Sequence, residues 1–288
     1  MNYNKMVLAS TKTERIVHWF LAGPLILLFI TGSALAFGFL NFIQPVFGGP
    51  YAMKFIHHLL GLVFFISLFP ILIIWIKDCL FEGDDFKWLI KAGGYIIRTD
   101  DVPPLAKFNA GQKIFFWYTL FFGLMASITG YIMLYPGKFT NSALIQWSYP
   151  LHVLAYGMFG IGWLGHWYLG VYANPGSLAT IISGWIPKDW VDHHRAKWPV
   201  KVVKVILYGK LNDSILAGLQ KKMNEFVPIS WDNITLDFKE VVAIDQSPLR
   251  FIVNYVKSAD KKGEVIISNV NIEIGEILKK EGLGKFIK

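Results

Sequence analysis

Long apolar stretches separated by short polar segments fill the first two thirds of the chain. A helix needs about 20 mostly apolar residues to cross the hydrocarbon core of a bilayer. Four stretches are this long, at approximately 17–40, 55–76, 114–135 and 150–173. The pattern predicts an all-α transmembrane four-helix bundle in residues 1–200, with both of its ends on one side of the membrane.

The pattern changes after about residue 200, where charged residues become frequent and no membrane-length stretch remains. Short β-branched runs alternate there with amphipathic segments of helical period. Strands that alternate with helices indicate a layered α/β structure. We therefore expect residues 201–288 to form a small soluble α/β domain.

Basic residues near the apolar stretches predict the orientation, because cytoplasmic loops carry an excess of Lys and Arg. Only Lys54 and Lys138 fall on the side opposite the termini. The other side holds Lys5, Lys12, Arg15, Lys77, Lys87, Lys91, Arg98, Lys107, Lys113, Lys188, Arg195 and Lys197. This predicts a multi-pass protein of a prokaryotic inner (cytoplasmic) membrane with both termini in the cytoplasm.

Composition agrees with a membrane protein. Of 288 residues, 54% are apolar and 17% are charged, whereas soluble proteins carry about 25% charged residues. The excess of basic residues beside the apolar stretches accounts for the net charge of +8. We therefore expect membrane lipid as a partner and no nucleic acid.

Four histidines lie at or near the ends of the apolar stretches: His18, His57, His152 and His166. His152 and His166 are fourteen residues apart, so they share one helix face with a rise of roughly 21 Å between them. In the predicted topology, His57 matches the depth of His152 and His18 matches that of His166. This arrangement favours two stacked bis-histidine metal sites, although any one histidine could simply meet the membrane interface.

Neighbouring residues refine the histidine hypothesis. Gly61 follows His57 by one turn, and Gly162 and Gly170 flank His166 by one turn on each side, which would let a flat macrocycle approach the helices. His58 adjoins His57 but points about 100° away from it. The roles of His58, His193 and His194 stay open.

The cysteine count limits the chemistry. Cys79 is the single cysteine, so the chain has no internal disulfide, no cysteine-ligated iron–sulfur cluster and no Cys-x-x-Cys-His haem attachment. Any haem is therefore expected to be held non-covalently by histidine nitrogens.

The run Asn109-Ala110-Gly111-Gln112-Lys113 begins the third apolar stretch on the predicted cytoplasmic side. Asn109 and Gln112 have the spacing of a helix capping box. They could also bind the carbonyl groups of a quinone, while Gly111 allows a flat ring to approach. The two interpretations are compatible.

Residues 1 to about 200 resemble the cytochrome b (gamma) subunit of membrane-bound formate dehydrogenases and its di-haem relatives. The matching stretches are TERIVHWF, FIHHLLG, KFNAGQKIFFW, LHVLAYG, GHWYLG and GWIPKDWVDHHRAKW. The resemblance implies two haem b groups, an outer one bound by His57 and His152 and an inner one bound by His18 and His166. It also implies a menaquinone site at residues 109–113.

Residues after 200 resemble the STAS domain through ITLDFKEVVAIDQSPL, KKGEVIISNV and EGLGKFI. Signalling members of that family are phosphorylated on a serine two residues after an aspartate, and Ser247 stands there after Asp245. Ser247 with Pro248 is equally an N-cap followed by a first-turn proline. A docking or stabilising module with an unknown cytoplasmic partner is the main expectation, and a phosphosite at Ser247 is the alternative.

Together these observations predict a membrane cytochrome b that passes electrons between a complex at the outer face and the quinone pool. By resemblance, the partners are an iron–sulfur subunit and a molybdenum- or tungsten-dependent catalytic subunit of a formate dehydrogenase-like complex. A hydrogenase or a sulfur-compound reductase could use the same subunit. A haem-free receptor or transporter regulated by the STAS-like tail is the alternative from another class.

Overall fold

A computed structural model of the chain describes residues 3–91, 93, 102–174, 176–199, 201–224, 233–261 and 263–288. The chain divides into two compact units. The helical unit is Thr11–Ile182, and the sheet unit combines Met1–Ser10 with Ser183–Lys288.

Four long helices form most of the helical unit. They are α1 (Lys12–Ala36), α2 (Pro50–Trp75), α4 (Ala110–Leu134) and α5 (Ser142–Tyr168), with the short α3 (Gly83–Ile90) and α6 (Ala179–Ile182) between or after them. A 3-10 segment (Gly38–Phe47) connects α1 to α2, and α5 continues into a π-helical turn (Leu169–Ala173). Polar caps fix three of the four long-helix starts. Thr11 and Asn109 each form a capping box with the residue three positions later, and the Asn141 side chain accepts a hydrogen bond from the Leu144 N–H at the start of α5.

Three of these helices, α1, α2 and α4, are long and apolar enough to cross a membrane, judged by length and composition within the described residues. The helix α5 has 27 residues but carries Gln, Ser, Pro, His and several aromatic residues, and it does not meet the same apolar criterion. The structure therefore establishes a helical membrane domain, and the predicted count of four spans depends on α5.

The helices bury one apolar cluster and expose another apolar surface. Helix α1 packs on α2, α4 packs on α5, and α2 packs on α4. The faces turned outward carry large exposed apolar residues such as Ile73, Phe121 and Ile161, which suits lipid contact. The buried cluster consists of Leu21, Phe64, Leu68, Ile71, Cys79, Phe116, Leu120 and Phe159.

The sheet unit contains five strands in the order β2-β1-β3-β4-β5. These are β1 (Tyr3–Leu8), β2 (Trp185–Pro187), β3 (Val202–Leu211), β4 (Asn233–Ile244) and β5 (Glu264–Ser268). Strand β1 is antiparallel to β2 and β3, whereas β3, β4 and β5 are parallel. The helices are α7 (Lys188–His194), α8 (Asp213–Asn224), α9 (Gln246–Ala259) and α10 (Ile272–Lys280).

The units of the structure differ from the predicted division at residue 200. Strand β1 belongs to the sheet and pairs Tyr3 with Leu207 and Val7 with Val203. Val7 is fully buried there, and its burial provides the apolar contact that holds the strand. The local pattern of these six residues does not identify their partner strand, which begins about 200 positions later in the chain.

A buried carboxylate lies in the middle of β4. Asp237 accepts a hydrogen bond from Asn269 at 3.0 Å and pairs with Lys204 at 2.6 Å. Burial opposes ionisation of Asp237, but the bonds from Lys204 and Asn269 stabilise the carboxylate, and its pKa lies below the usual value. The ion pair therefore links β3 to β4 and favours the charged form.

Candidate metal centres

The structure brings the four predicted histidines together as two pairs. His57 on α2 lies opposite His152 on α5, with ring centres 6.4 Å apart and ring planes at 68°. His18 on α1 lies opposite His166 on α5, also with ring centres 6.4 Å apart and with planes at 35°.

This separation suits one metal ion between two imidazoles. With a metal–nitrogen bond of about 2.0 Å on each side and about 1.1 Å from each nitrogen to its ring centre, the ring centres would lie roughly 6.2 Å apart. Two histidines in direct hydrogen-bond contact would be closer together. Each pair therefore has the spacing at which two imidazoles could hold one metal ion.

Two protein ligands are too few for a bare ion. Within the described residues, no group of three or more His, Cys, Asp or Glu side chains could hold a metal, whereas protein zinc sites use three or four such ligands. A metal bound at either pair must bring other ligands with it, as the iron of a macrocycle does.

Hydrogen bonds with threonine hydroxyls hold the first pair, His57 and His152, which we call the threonine-bound pair. His57 Nδ1 lies 2.8 Å from the Thr31 hydroxyl on α1. His152 Nδ1 lies 3.1 Å from the Thr129 hydroxyl on α4 and 3.0 Å from the Ala126 carbonyl oxygen. Neither threonine is predicted from the sequence pattern, although Ile-Thr-Gly occurs at 30–32 and again at 128–130.

Glycines of the same repeats make room for these two rings. A Cβ atom at Gly32 would lie 3.2 Å from His57 Cε1, and one at Gly130 would lie 3.2 Å from His152 Cε1. Contacts this close require a neighbour to shift. The two Ile-Thr-Gly segments therefore supply both a hydrogen-bond acceptor and space for the ring edge.

Aromatic contacts hold the second pair, His18 and His166, which we call the stacked pair. Phe115 on α4 stacks on His166 with ring centres 4.5 Å apart and planes at 6°. Trp19 meets His18 edge-on at 5.3 Å. His18 Nδ1 is buried and has no hydrogen-bond partner among the described residues.

The glycines proposed from the sequence divide into two kinds. A Cβ at Gly162 would lie 2.8 Å from Tyr118 and 3.3 Å from Phe115, so Gly162 admits the side chains that pack beside His166. Gly61 and Gly170 have nothing within 4 Å of such a Cβ. Open space next to His57 and His166 is what a flat group would need.

Two other histidines with described side chains, His58 and His194, lie outside the pairs, and the side chain of His193 is outside the described residues. His58 has its ring centre 6.5 Å from that of His57, with planes at 70°. His194 is exposed and stacks on Trp190 at 4.3 Å. Nothing in these contacts assigns either residue a role in metal binding.

The amides of Asn109 and Gln112 form the capping box of α4. The Gln112 N–H donates to Asn109 Oδ1 at 2.8 Å, and the Asn109 N–H donates to Gln112 Oε1 at 3.0 Å. Both oxygens are thereby used, which leaves the two NH₂ groups as donors. The indole ring of Trp88 lies 3.5 Å from the position of a Cβ at Gly111, so an aromatic side chain covers this glycine.

Ion pairs anchor the chain on both sides of this cap. Lys107 pairs with Glu14 and, at 2.9 Å, with Asp78. Lys113 pairs with Asp85 at 2.7 Å, and both side chains are almost fully buried. Removing one partner of such a buried pair is strongly destabilising, so the start of α4 is firmly held.

In the sheet unit, Ser247 is exposed and is the second residue of α9. The N-cap position belongs to Asp245, so the expected N-cap role of Ser247 is wrong; the helix starts two residues earlier than that interpretation requires. A phosphate at this helix N-terminus would be electrostatically favourable, and phosphorylation of Ser247 stays a hypothesis.

Comparison with known families matches both parts of the chain. Residues 9–184 match the profile of prokaryotic cytochrome b561, and residues 197–288 match that of the STAS domain. A solved structure of the anti-sigma factor antagonist SpoIIAA in its unphosphorylated form covers 31% of this chain and 78% of its own, with 17% identity and a TM-score of 0.28. That score is too low to support an argument.

Similar curated proteins are cytochrome subunits. The cytochrome b556(fdo) subunit of formate dehydrogenase from Escherichia coli strain K12 is 25% identical over 71% of this chain and 97% of its own length. The nitrate-inducible cytochrome b556(Fdn) subunit from the same strain is 23% identical over 71% of this chain and 95% of its own. A formate dehydrogenase cytochrome b556 subunit from Haemophilus influenzae is 25% identical over 64% and 78%.

Proposed function

Because the chain belongs to the prokaryotic cytochrome b561 family, we propose that it carries electrons through two haem b groups between an outer-face complex and the quinone pool. The family and the apolar helices make it a multi-pass inner-membrane protein with a role in electron transfer. The two bis-histidine pairs, each with ring centres 6.4 Å apart, carry the proposal.

The residues fit haem b. Each pair offers two imidazoles at a separation that would allow both to hold one haem iron. His57 and His152 would hold the outer group, and His18 and His166 the inner one. Bound in this way, the iron would supply a reversible one-electron couple, while the chain fixes the ligands and excludes water.

Strand pairing supports four membrane crossings. Strands β1 and β3 come before and after the helical unit in sequence, yet they pair in one sheet. Since a sheet forms in one aqueous compartment, the chain between them crosses the membrane an even number of times. Three helices meet the apolar criterion, so α5 is proposed as the fourth span, and the excess of basic residues favours the cytoplasm for both termini.

The quinone is proposed to be menaquinone, bound at the start of α4. The capping box directs the NH₂ groups of Asn109 and Gln112 away from the backbone, where they can donate to a quinone carbonyl. Gly111 lies one turn, roughly 6 Å, before Phe115 on the same helix face, and Phe115 stacks on His166. A quinone at this cap would therefore be close to the stacked pair.

The partners are proposed from the relatives. Their names assign them to formate dehydrogenase, so a formate dehydrogenase-like complex with an iron–sulfur subunit and a molybdenum- or tungsten-dependent catalytic subunit is the favoured donor. Electrons would enter at the outer pair and leave to the quinone at the cytoplasmic side. We propose that the STAS-like sheet unit docks or stabilises a cytoplasmic partner.

A reduced-minus-oxidised absorbance spectrum of the purified full-length chain, with haem quantified per protein, tests the proposal. Two b-type haems are expected in the wild type. His166→Ala should retain one of the two, because it removes a ligand from only the stacked pair.

His58→Ala is the matched control, and it should keep both haems because His58 lies outside the pairs. A wild-type chain without a b-type band after haem-replete expression would favour a haem-free receptor or transporter. Loss of haem from His58→Ala equal to that from His166→Ala would contradict the assigned ligands.

A further inference from the structure

The hydrogen bonds around His152 determine which ring nitrogen carries the proton. A carbonyl oxygen only accepts, and the Ala126 oxygen lies 3.0 Å from His152 Nδ1. The proton is therefore on Nδ1, and the lone pair that can bind a metal is on Nε2.

The threonine hydroxyls act as acceptors towards the histidines because their own protons are used elsewhere. Thr129 donates to the Met125 carbonyl at 2.6 Å, and Thr31 donates to the Leu27 carbonyl at 2.8 Å. Each hydroxyl oxygen then faces an Nδ1–H group of the threonine-bound pair. His57 is thereby fixed in the same tautomer as His152.

The same device occurs twice, on two helices that pack against the two histidine helices. Thr31 and Gly32 of α1 contact His57 of the following helix, and Thr129 and Gly130 of α4 contact His152 of the following helix. The stacked pair lacks it, since His18 Nδ1 is buried without a hydrogen-bond partner among the described residues.

We propose that Thr31 and Thr129 are positioning residues that fix the tautomer of the threonine-bound pair and strengthen both imidazoles as iron donors. The inference rests on the proposed haem function. A hydrogen bond accepted from Nδ1–H makes the ligating imidazole more electron-rich, and second-shell bonds of this kind tune haem potentials. The two threonines therefore lower the midpoint potential at that pair.

The experiment is a redox titration of the b-type absorbance in full-length Thr31→Val and Thr129→Val variants, with Thr→Ser variants at both positions. Valine keeps the shape of threonine but cannot accept the bond. One of the two midpoint potentials should rise in the valine variants and return towards the wild-type value with serine. The rise should be larger in Thr31→Val, because His152 keeps the Ala126 carbonyl as acceptor whereas Thr31 is the partner of His57.

Thr119→Val is the matched control, because Thr119 is a buried threonine on α4 whose hydroxyl has no partner among the described residues. It should leave both potentials unchanged. Combining each variant with His166→Ala, which retains only the threonine-bound pair, should show that the shift belongs to this pair.

Selective loss of the haem at the threonine-bound pair in Thr31→Val would also support the proposal. The shift in midpoint potential would then be measured in Thr129→Val. Unchanged potentials in both valine variants with two haems bound, or an equal shift in Thr119→Val, would overturn it. Absence of a b-type spectrum from the wild type would instead refute the proposed function, so the two failures are distinguishable.

Discussion

The two histidine pairs have the same ring separation but different supports. Hydrogen bonds to hydroxyl and carbonyl oxygens hold the threonine-bound pair, whereas a stacked Phe115 and an edge-on Trp19 hold the other. A hydrogen bond fixes both the ring plane and the protonated nitrogen, but a stack fixes only the plane. Two sites with one ligand type can therefore differ in electronic character through their neighbours alone.

The largest expected effect comes from removing the stack. Phe115→Ala should weaken haem binding at the stacked pair, since a Phe-to-Ala change in a packed region costs about 3–5 kcal/mol and frees the His166 ring. Haem content per protein, compared with the spectrum of His166→Ala, measures the loss. Phe121→Ala, at a position 64% exposed on the same helix, is the control. Equal loss of haem from both pairs in Phe115→Ala would contradict the assignment of the stack to one pair only.

A change confined to the sheet unit tests whether the two pairs are independent of it. Asp237→Asn should destabilise this unit by about 2–3 kcal/mol, because Lys204 loses a charged hydrogen-bond partner. Hydrogen exchange of β3–β5 peptides in the full-length protein should report the loss while the b-type spectrum stays unchanged.

This effect also has a defined pH dependence. The pKa of Asp237 is lowered in the folded state, so its contribution is present above the usual Asp pKa and disappears as pH falls through the folded value. The difference between wild type and Asp237→Asn should therefore shrink on acidification from neutral pH through the usual Asp pKa and below it. A difference that grows in acid would contradict the assigned ion pair.

The smallest effect is expected at the glycine of the second repeat. Gly130→Ala places a Cβ 3.2 Å from His152 Cε1, and overpacking of this kind costs about 1–3 kcal/mol. The absorbance band of the haem at the threonine-bound pair should broaden or shift. Gly157→Ala on α5, with nothing within 4 Å of its Cβ, should leave both components as in the wild type.

Sequence patterns predicted the helical membrane domain and the α/β tail because long apolar runs and alternating strands depend on local composition. The spacing of His152 and His166 on one helix also led to the pairing that the structure shows. Thr31 and Thr129 could not be predicted in the same way. A threonine in an apolar helix usually bonds the carbonyl one turn earlier, and only tertiary packing shows that its oxygen also meets a histidine.

The capping box at Asn109 and the strand β1 show two other limits. The cap was predicted from spacing, but the cover that Trp88 provides over Gly111 depends on a separate short helix. Strand β1 forms because Val7 is buried and pairs with Val203, which lies almost two hundred positions away in the chain. No local pattern encodes such a partner.

Pairing of β1 with β3 also constrains biosynthesis. The ribosome makes Tyr3 long before its partner Leu207, so the first strand must wait while the helices enter the bilayer. Within the helical unit, the Trp19 indole N–H donates to the Ile181 carbonyl at 3.2 Å, which joins the beginning of the bundle to its end. Closure of the bundle thus shortens the search between β1 and β3. A helix inserted in the wrong orientation would leave the sheet without β1.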